Sequence, residues 1–173
     1  MSAIDSTPVN KNFLSPLNFK FQLQRAPHVN FFVQRVNLPG FSLPDVDASN
    51  PLLRVPYAGE HLLYDELELT FKVDEDLKNY MEIHTWLRSL GKPTYDEYAT
   101  LAAQPLYSGN GLRSDISLML LTSYKNPNYE VVFKDAFPIS LSGLEFNTTD
   151  EDVDYLESSA RFRYVIYDIK KVS

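Results

Sequence analysis

Four groups of residues in this chain have types and spacings that chemistry could use. Asp150, Glu151, Asp152 and Asp154 crowd one short stretch, a density of carboxylates that attracts calcium. Their spacing lacks the central glycine and the twelfth-position glutamate of an EF-hand loop, so a solvated acidic loop is expected. Gly109-Asn110-Gly111 offers the small residues of a phosphate cradle. It leads into Leu112-Arg113 and a strand, without the Lys-Ser/Thr pair and the helix that a P-loop needs. Ser140 and Ser142 flank Leu141 within a strand and have no triad context. His28, His61 and His84 lie far apart, and the absence of cysteine removes thiolate zinc sites and a disulfide framework. No metal or cofactor is expected, no residue is singled out for catalysis, and the chain reads as non-enzymatic.

The elements that would carry any function are strands. In Asp65–Val73, Leu67, Leu69, Phe71 and Val73 share one face, while Glu66, Glu68, Thr70 and Lys72 share the other. In Ser158–Ile169, Ala160, Phe162, Tyr164 and Ile166 lie opposite Arg161 and Arg163. A period of two marks strands with one face buried. If the two strands are neighbours, Glu66 and Glu68 pair with Arg161 and Arg163. Each such pair contributes roughly 0.2–1 kcal/mol and sets register more than stability.

A chain of 173 residues is most simply one domain, here an arm at 1–15 followed by a domain at 16–173. It can bury roughly 70% of its unfolded surface without a metal or disulfide. No apolar run reaches the roughly 20 residues that span a bilayer, and Met1–Asn12 has no secretory-signal pattern, so a cytoplasmic protein is expected. A net charge of -7 disfavours binding to nucleic acid or to an anionic membrane, and suits a wall past which nucleic acid slides.

Leu17–Arg25 alternates cleanly, and Val29–Asn37 reads as a second strand, the two forming a hairpin. Leu38–Leu63 follows, with Pro39, Pro44, Pro51 and Pro56 excluding a central strand. Its apolar residues Phe41, Leu43, Val46, Leu52, Leu53, Val55 and Tyr57 all need cover, so the stretch is either a loop folded on its own sheet or an arm for a neighbouring subunit. A helix is predicted from Leu77 to Leu90, with Asp74, Glu75 and Asp76 capping its start, and His84 meeting solvent or its edge. Gly91 and Pro93 close it. Lys92–Arg113 reads as irregular, with Tyr95, Tyr98 and Tyr107 exposed for contact. Strands follow at Asp115–Leu121, Tyr129–Phe133 and Ile139–Phe146, before the last long strand. The fold class is mainly β, sandwich- or barrel-like with about seven strands and one flanking α-helix.

The order of these elements resembles the tail tube proteins of contractile-tailed bacteriophages. The likeness is carried by the strand Leu17–Arg25, by Leu38-Pro39-Gly40 and the Pro/Gly stretch after it, and by Asp65–Val73 running into a helix. Phe137-Pro138, the run Leu144-Glu145-Phe146-Asn147-Thr148 and a closing strand with Phe162 and Tyr164 extend it, from Leu17 to Ile169. The resemblance implies hexameric rings that stack into a tube around a DNA channel. It also implies sheath and baseplate partners, a place in the virion tail after assembly in the host cytoplasm, and no membrane. It makes Leu38–Leu63 the ring-to-ring arm and puts the helix Leu77–Leu90 outside or between subunits. Leu43, Val46, Leu52, Leu53, Val55, Tyr57, Tyr95 and Tyr98 become candidate contact residues. A baseplate hub or tube-initiator ring of the same fold is the nearest alternative. A ligand-binding β-sandwich using Tyr95, Tyr98 and Tyr107 is the alternative of another class.

Overall fold

The computed structural model describes residues 12–48, 53–92, 95–103, 112–147 and 155–172. Its main sheet is antiparallel and has seven strands. These are β1 (Phe19–Leu23), β2 (Val33–Val36), β7 (Leu67–Lys72), β8 (Ser114–Leu121), β9 (Pro127–Leu141), β10 (Glu157–Arg163) and β11 (Ile166–Lys171). The spatial order is β1-β8-β9-β10-β7-β2, with β11 also on β9. Four short strands lie outside this sheet: β3 (Phe41–Ser42) pairs with β6 (Leu63–Tyr64), and β4 (Asp45–Ala48) with β5 (Val55–Ala58). Three helices complete the chain: α1 (Pro27–Phe32), α2 (Lys78–Leu90) and α3 (Tyr95–Ala103). The expected class, mainly β with a flanking helix, is what the chain adopts.

Alternation places the core. Leu67, Leu69 and Phe71 of β7, Ala160 and Phe162 of β10, and Val131 and Phe133 of β9 are fully buried. Phe21 and Leu23 of β1 and Ile116 and Leu118 of β8 join them, and α2 closes the cluster with Ile83 and Trp86. The Trp86 indole N–H donates to the Leu112 carbonyl at 3.0 Å, which satisfies the one polar atom of that side chain.

β9 is one 15-residue strand rather than the two expected at Tyr129–Phe133 and Ile139–Phe146. Its continuity depends on a bulge. Asp135 has φ 54, the register against β8 shifts there, and the Asp135 N–H donates to Asp115 Oδ1 at 3.1 Å. The expected single strand Ser158–Ile169 is split at Tyr164–Val165 into β10 and β11. Both halves still lie antiparallel along β9, with Arg163 opposite Phe137 and Ile166 opposite Lys134.

Val29–Asn37 is not one strand. Pro27 begins a helical turn, where its fixed φ and missing N–H are harmless. Asn30 then occupies the edge of β1: its Oδ1 accepts the Leu23 N–H at 2.7 Å and its Nδ2 donates to the Leu23 carbonyl at 3.2 Å. Only Val33–Val36 remain extended. The segment expected to be irregular, Lys92–Arg113, contains α3.

Helix α2 runs from Lys78, one residue after the expected Leu77, to Leu90. The carboxylates of 74–76 do not cap it. Leu77 takes a left-handed φ of 57, and residues 74–77 wrap around the fully buried Asn79. Asn79 Nδ2 donates to the Lys72 carbonyl at 2.7 Å, and its Oδ1 accepts the Asp74 N–H at 3.3 Å. This side chain joins the end of β7 to the start of the helix. Replacing it, Asn79→Ala, leaves buried backbone groups without partners and is expected to cost about 1–3 kcal/mol, read from the midpoint of urea unfolding. An unchanged midpoint would show that water replaces those bonds.

Candidate assembly surface

The described residues of the segment Leu38–Leu63, 38–48 and 53–63, are not irregular. They rise as two short ribbons. At the root β3 and β6 pair Phe41 with Tyr64, and further out β4 and β5 pair Val46 with Tyr57 and Asp47 with Pro56. Both strands of a two-stranded ribbon are edges, so Pro56 breaks no central ladder. The ribbon closes with the Gly59 N–H donating to the Pro44 carbonyl at 2.7 Å, and a Cβ at position 59 would collide with that carbonyl.

The root is held by aromatic rings. Tyr64 packs against Tyr164 and Tyr167, each at 5.8 Å between ring centroids, and Phe41 lies 6.2 Å from Tyr167. Phe133 of the core lies 5.0 Å from Tyr164 and 5.5 Å from Tyr167. Two hydroxyls fix the backbone of the arm: Tyr164 donates to the Asp65 carbonyl at 2.9 Å and Tyr167 to the Pro39 carbonyl at 3.2 Å. Burial, with smaller contributions from Tyr167, Asp65 and Tyr64, pushes the Tyr164 phenol up to about 12. The sequence reading assigned no role to Tyr64 and Tyr167; their only signal is aromatic density on both sides of the arm and in the last strand.

Beyond the root the arm is apolar and uncovered. Val46 and Tyr57 are both 60% exposed, Leu53 is 68% exposed, and Leu43 is also exposed. Val55 is half-buried, and Leu52 lies outside the described residues. A ribbon of two strands is marginal alone, and an exposed apolar patch of this kind marks an interaction surface.

The main sheet also ends without closing. Among the described residues, β1 pairs only with β8 and β2 only with β7, so each leaves one backbone edge open. A groove of about 400 Å³ lies between these ends, lined by Leu17, Phe19, Phe31 and Val33 among others. Leu17 and Phe31 stand at its rim, both 85% exposed.

β7 and β10 are neighbours, and their charged faces meet. Arg161 is in register with Glu68, yet Glu66 receives both guanidiniums: Arg161 Nη1 at 3.8 Å and Arg163 Nη2 at 3.5 Å. All three side chains are at least one-third exposed, so the cluster is worth no more than about 1 kcal/mol per pair.

The other chemistry-bearing residues are dispersed. His28 pairs through its ring and backbone N–H with Glu82 and ties α1 to α2. His84 is half-buried and stacks on Tyr80 at 6.3 Å. His61 is exposed in the arm. Tyr95 is exposed on α3, whereas Tyr98 is half-buried under the Lys92 ammonium, 4.4 Å from its ring. Tyr107, the run Gly109-Asn110-Gly111 and the acidic loop from Asp150 to Asp154 lie outside the described residues. Among the described residues no group of three or more His, Asp or Glu could hold a metal ion, and no helix is long and apolar enough to cross a membrane.

The sequence matches the family model described as phage tail tube protein over residues 6–170. No curated protein matches it. Among solved structures, the fold is similar to a chain of the anti-feeding prophage tube-terminating cap, with TM-score 0.64, 12% identity, and 99% of this chain and 100% of that chain covered. It is similar to a chain of the anti-feeding prophage baseplate, with TM-score 0.59, 16% identity, and 95% and 97% covered. It is also similar to a chain of the extended sheath-tube complex of the PVC extracellular contractile injection system, with TM-score 0.58, 11% identity, and 99% of each chain covered. At these identities the likeness is one of fold.

The raised phenol gives the arm root a pH dependence. A group whose pKa rises on folding stabilises the fold in full below its unfolded value and loses that contribution as pH climbs through the folded value. Stability is therefore expected to fall between pH 10 and about pH 12, and Tyr164→Phe is expected to flatten that decline while costing about 1 kcal/mol at neutral pH. Thermal melts across this range check it; identical slopes in both proteins would contradict it.

Proposed function

The chain belongs to the phage tail tube protein family, and from that premise we propose that it forms hexameric rings which stack into a tube that conducts DNA during ejection from a contractile tail. The observation that carries this reading is a protomer open in two directions. Its sheet ends in free strand edges at β1 and β2, and its arm presents Val46, Leu53 and Tyr57 to solvent. Free edges are a liability in a monomer and are satisfied when another copy adds its own strand or covers them. Closed rotational symmetry ends that lateral growth at a ring, while a second, head-to-tail contact continues it along an axis. The six-fold symmetrised baseplate that contains a similar chain supports six as the ring number. The net charge of -7 supports passage of DNA without adhesion, since like charges repel in a confined channel.

In this reading sheath and baseplate proteins are partners, the assembled protein resides in the virion tail after assembly in the host cytoplasm, and the role is structural rather than enzymatic. The candidate contacts Leu43, Val46, Leu52, Leu53, Val55 and Tyr57 belong to the arm between rings. A baseplate or tube-initiator ring is the second reading, supported by the likeness to the anti-feeding prophage baseplate chain.

Electron microscopy of the purified protein tests the proposal, with annular particles and tubes of constant diameter as the expected result. A 19.9 kDa species that persists at high concentration would overturn it. Copy number per virion separates the two ring readings: hundreds of copies for a tube, a handful for a baseplate ring. Deleting residues 50–59 removes β5 and the closing Gly59 while leaving the sheet, and is expected to give folded subunits that make no tubes. Tubes of normal length from this deletion would exclude the arm from stacking.

A further inference from the structure

The arm needs a seat, and the far end of the sheet offers one. The turn between β8 and β9 lies six residues along β9 from Phe133, roughly 20 Å from the aromatic root. There residues 12–15 run beside the turn and enclose a groove of about 580 Å³. Phe13 is 95% and Tyr124 86% exposed around it. These apolar groups have no cover in the protomer, and neither has the arm, so the two surfaces do not bury each other within one chain.

Their charges are opposite. From Pro44 to Glu60 the arm carries Asp45, Asp47 and Glu60 against Arg54, a net of -2 from three acids and one base. Among the described residues Arg54 pairs there with Asp47, loosely at 3.8 Å. The sheet tip carries Lys125 in the turn, and β11 ends beside it: Lys170 is in register with Glu130, Lys171 with Tyr129, and the Val172 N–H donates to the Asn128 carbonyl at 2.9 Å. Three lysines and one glutamate give the tip a net of +2.

We infer that the β8–β9 tip, with the segment at residues 12–17, is the acceptor surface on which the arm of a second copy docks. The apolar face of the arm, Val46 with Tyr57, covers Phe13 and Tyr124, while Asp45 and Asp47, on the other face of the thin ribbon, bring its negative charge within screening distance of Lys125 and Lys171. The inference rests on the stacking of rings given above and specifies the surface that receives the arm. Such a contact is head-to-tail, so it repeats from ring to ring. Opposite charges at its rim are screened beyond about 8–10 Å at physiological salt, so stacking weakens as salt rises.

A charge swap tests this. Lys125→Glu with Lys171→Glu is expected to leave single rings and abolish tubes under the electron microscope. Adding Asp45→Lys with Asp47→Lys to the same chain is expected to restore tubes. Tubes of normal length from the first variant, or no recovery in the second, would overturn the docking while leaving ring formation intact. Wild-type protein that makes no rings would defeat the underlying reading instead. The chain has no native cysteine, so Val46→Cys with Tyr124→Cys gives a second readout that is independent of charge. A disulfide-linked ladder in assembled tubes is expected, and a purely monomeric chain after oxidation of those tubes would overturn the docking.

Discussion

Each backbone N–H and C=O of a strand needs a partner, and among the described residues the main sheet supplies partners along its path except at its two ends and along the outer side of β11, which pairs only with β9. Among the described residues, β1 and β2 occupy those ends and do not pair with each other. Between them Asn30 substitutes its amide for a strand, but only at Leu23. The groove that opens beyond that point is bordered by Leu17 and Phe31, too apolar to be comfortable in water. This unfinished closure shapes the rest of the protomer: the interior is sealed by α2 with Ile83 and Trp86, and the lateral borders stay open.

The arm is independent of that closure and obeys another constraint. A two-stranded ribbon has no core, so it stands only if its base is fixed. Here the base is a cluster of five aromatic rings reaching Phe133 in the core, with two tyrosine hydroxyls bonded to arm carbonyls. A rigid root with an apolar outer ribbon is pre-organised for docking, which lowers the ordering cost of association.

Much of the sheet was legible in the sequence because burial on one face writes a period of two. Leu67, Leu69, Phe71, Ala160 and Phe162 fall on the buried face as the alternation requires. The failures have physical causes. Val29–Asn37 has an alternating pattern, yet Pro27 and the Asn30 amide turn its first half into a helix, a tertiary bond that no pattern records. The capping carboxylates of 74–76 were read by type, but the buried Asn79 sets the start of α2. The strands expected at Tyr129–Phe133 and Ile139–Phe146 looked separate, whereas β9 runs on past the Asp135 bulge as one strand to Leu141. For the surface, the arm was legible from prolines mixed with uncovered apolar residues. The Glu66 cluster was legible as charge on facing strands, although Glu66 rather than Glu68 receives both arginines. Tyr64, Tyr164 and Tyr167 were not legible as an anchor, because three tyrosines separated by a hundred residues meet only once β11 lies against β9.

The central claim is that the open borders of β1 and β2 are completed by neighbouring copies. Amide hydrogen exchange, compared between assembled particles and dissociated subunits, reads those borders directly. Phe19–Leu23 and Val33–Val36 are expected to gain protection on assembly, while Tyr129–Lys134 of β9, already paired with β8 and β11, change little. Equal exchange of β1 and β2 in the two states would contradict it.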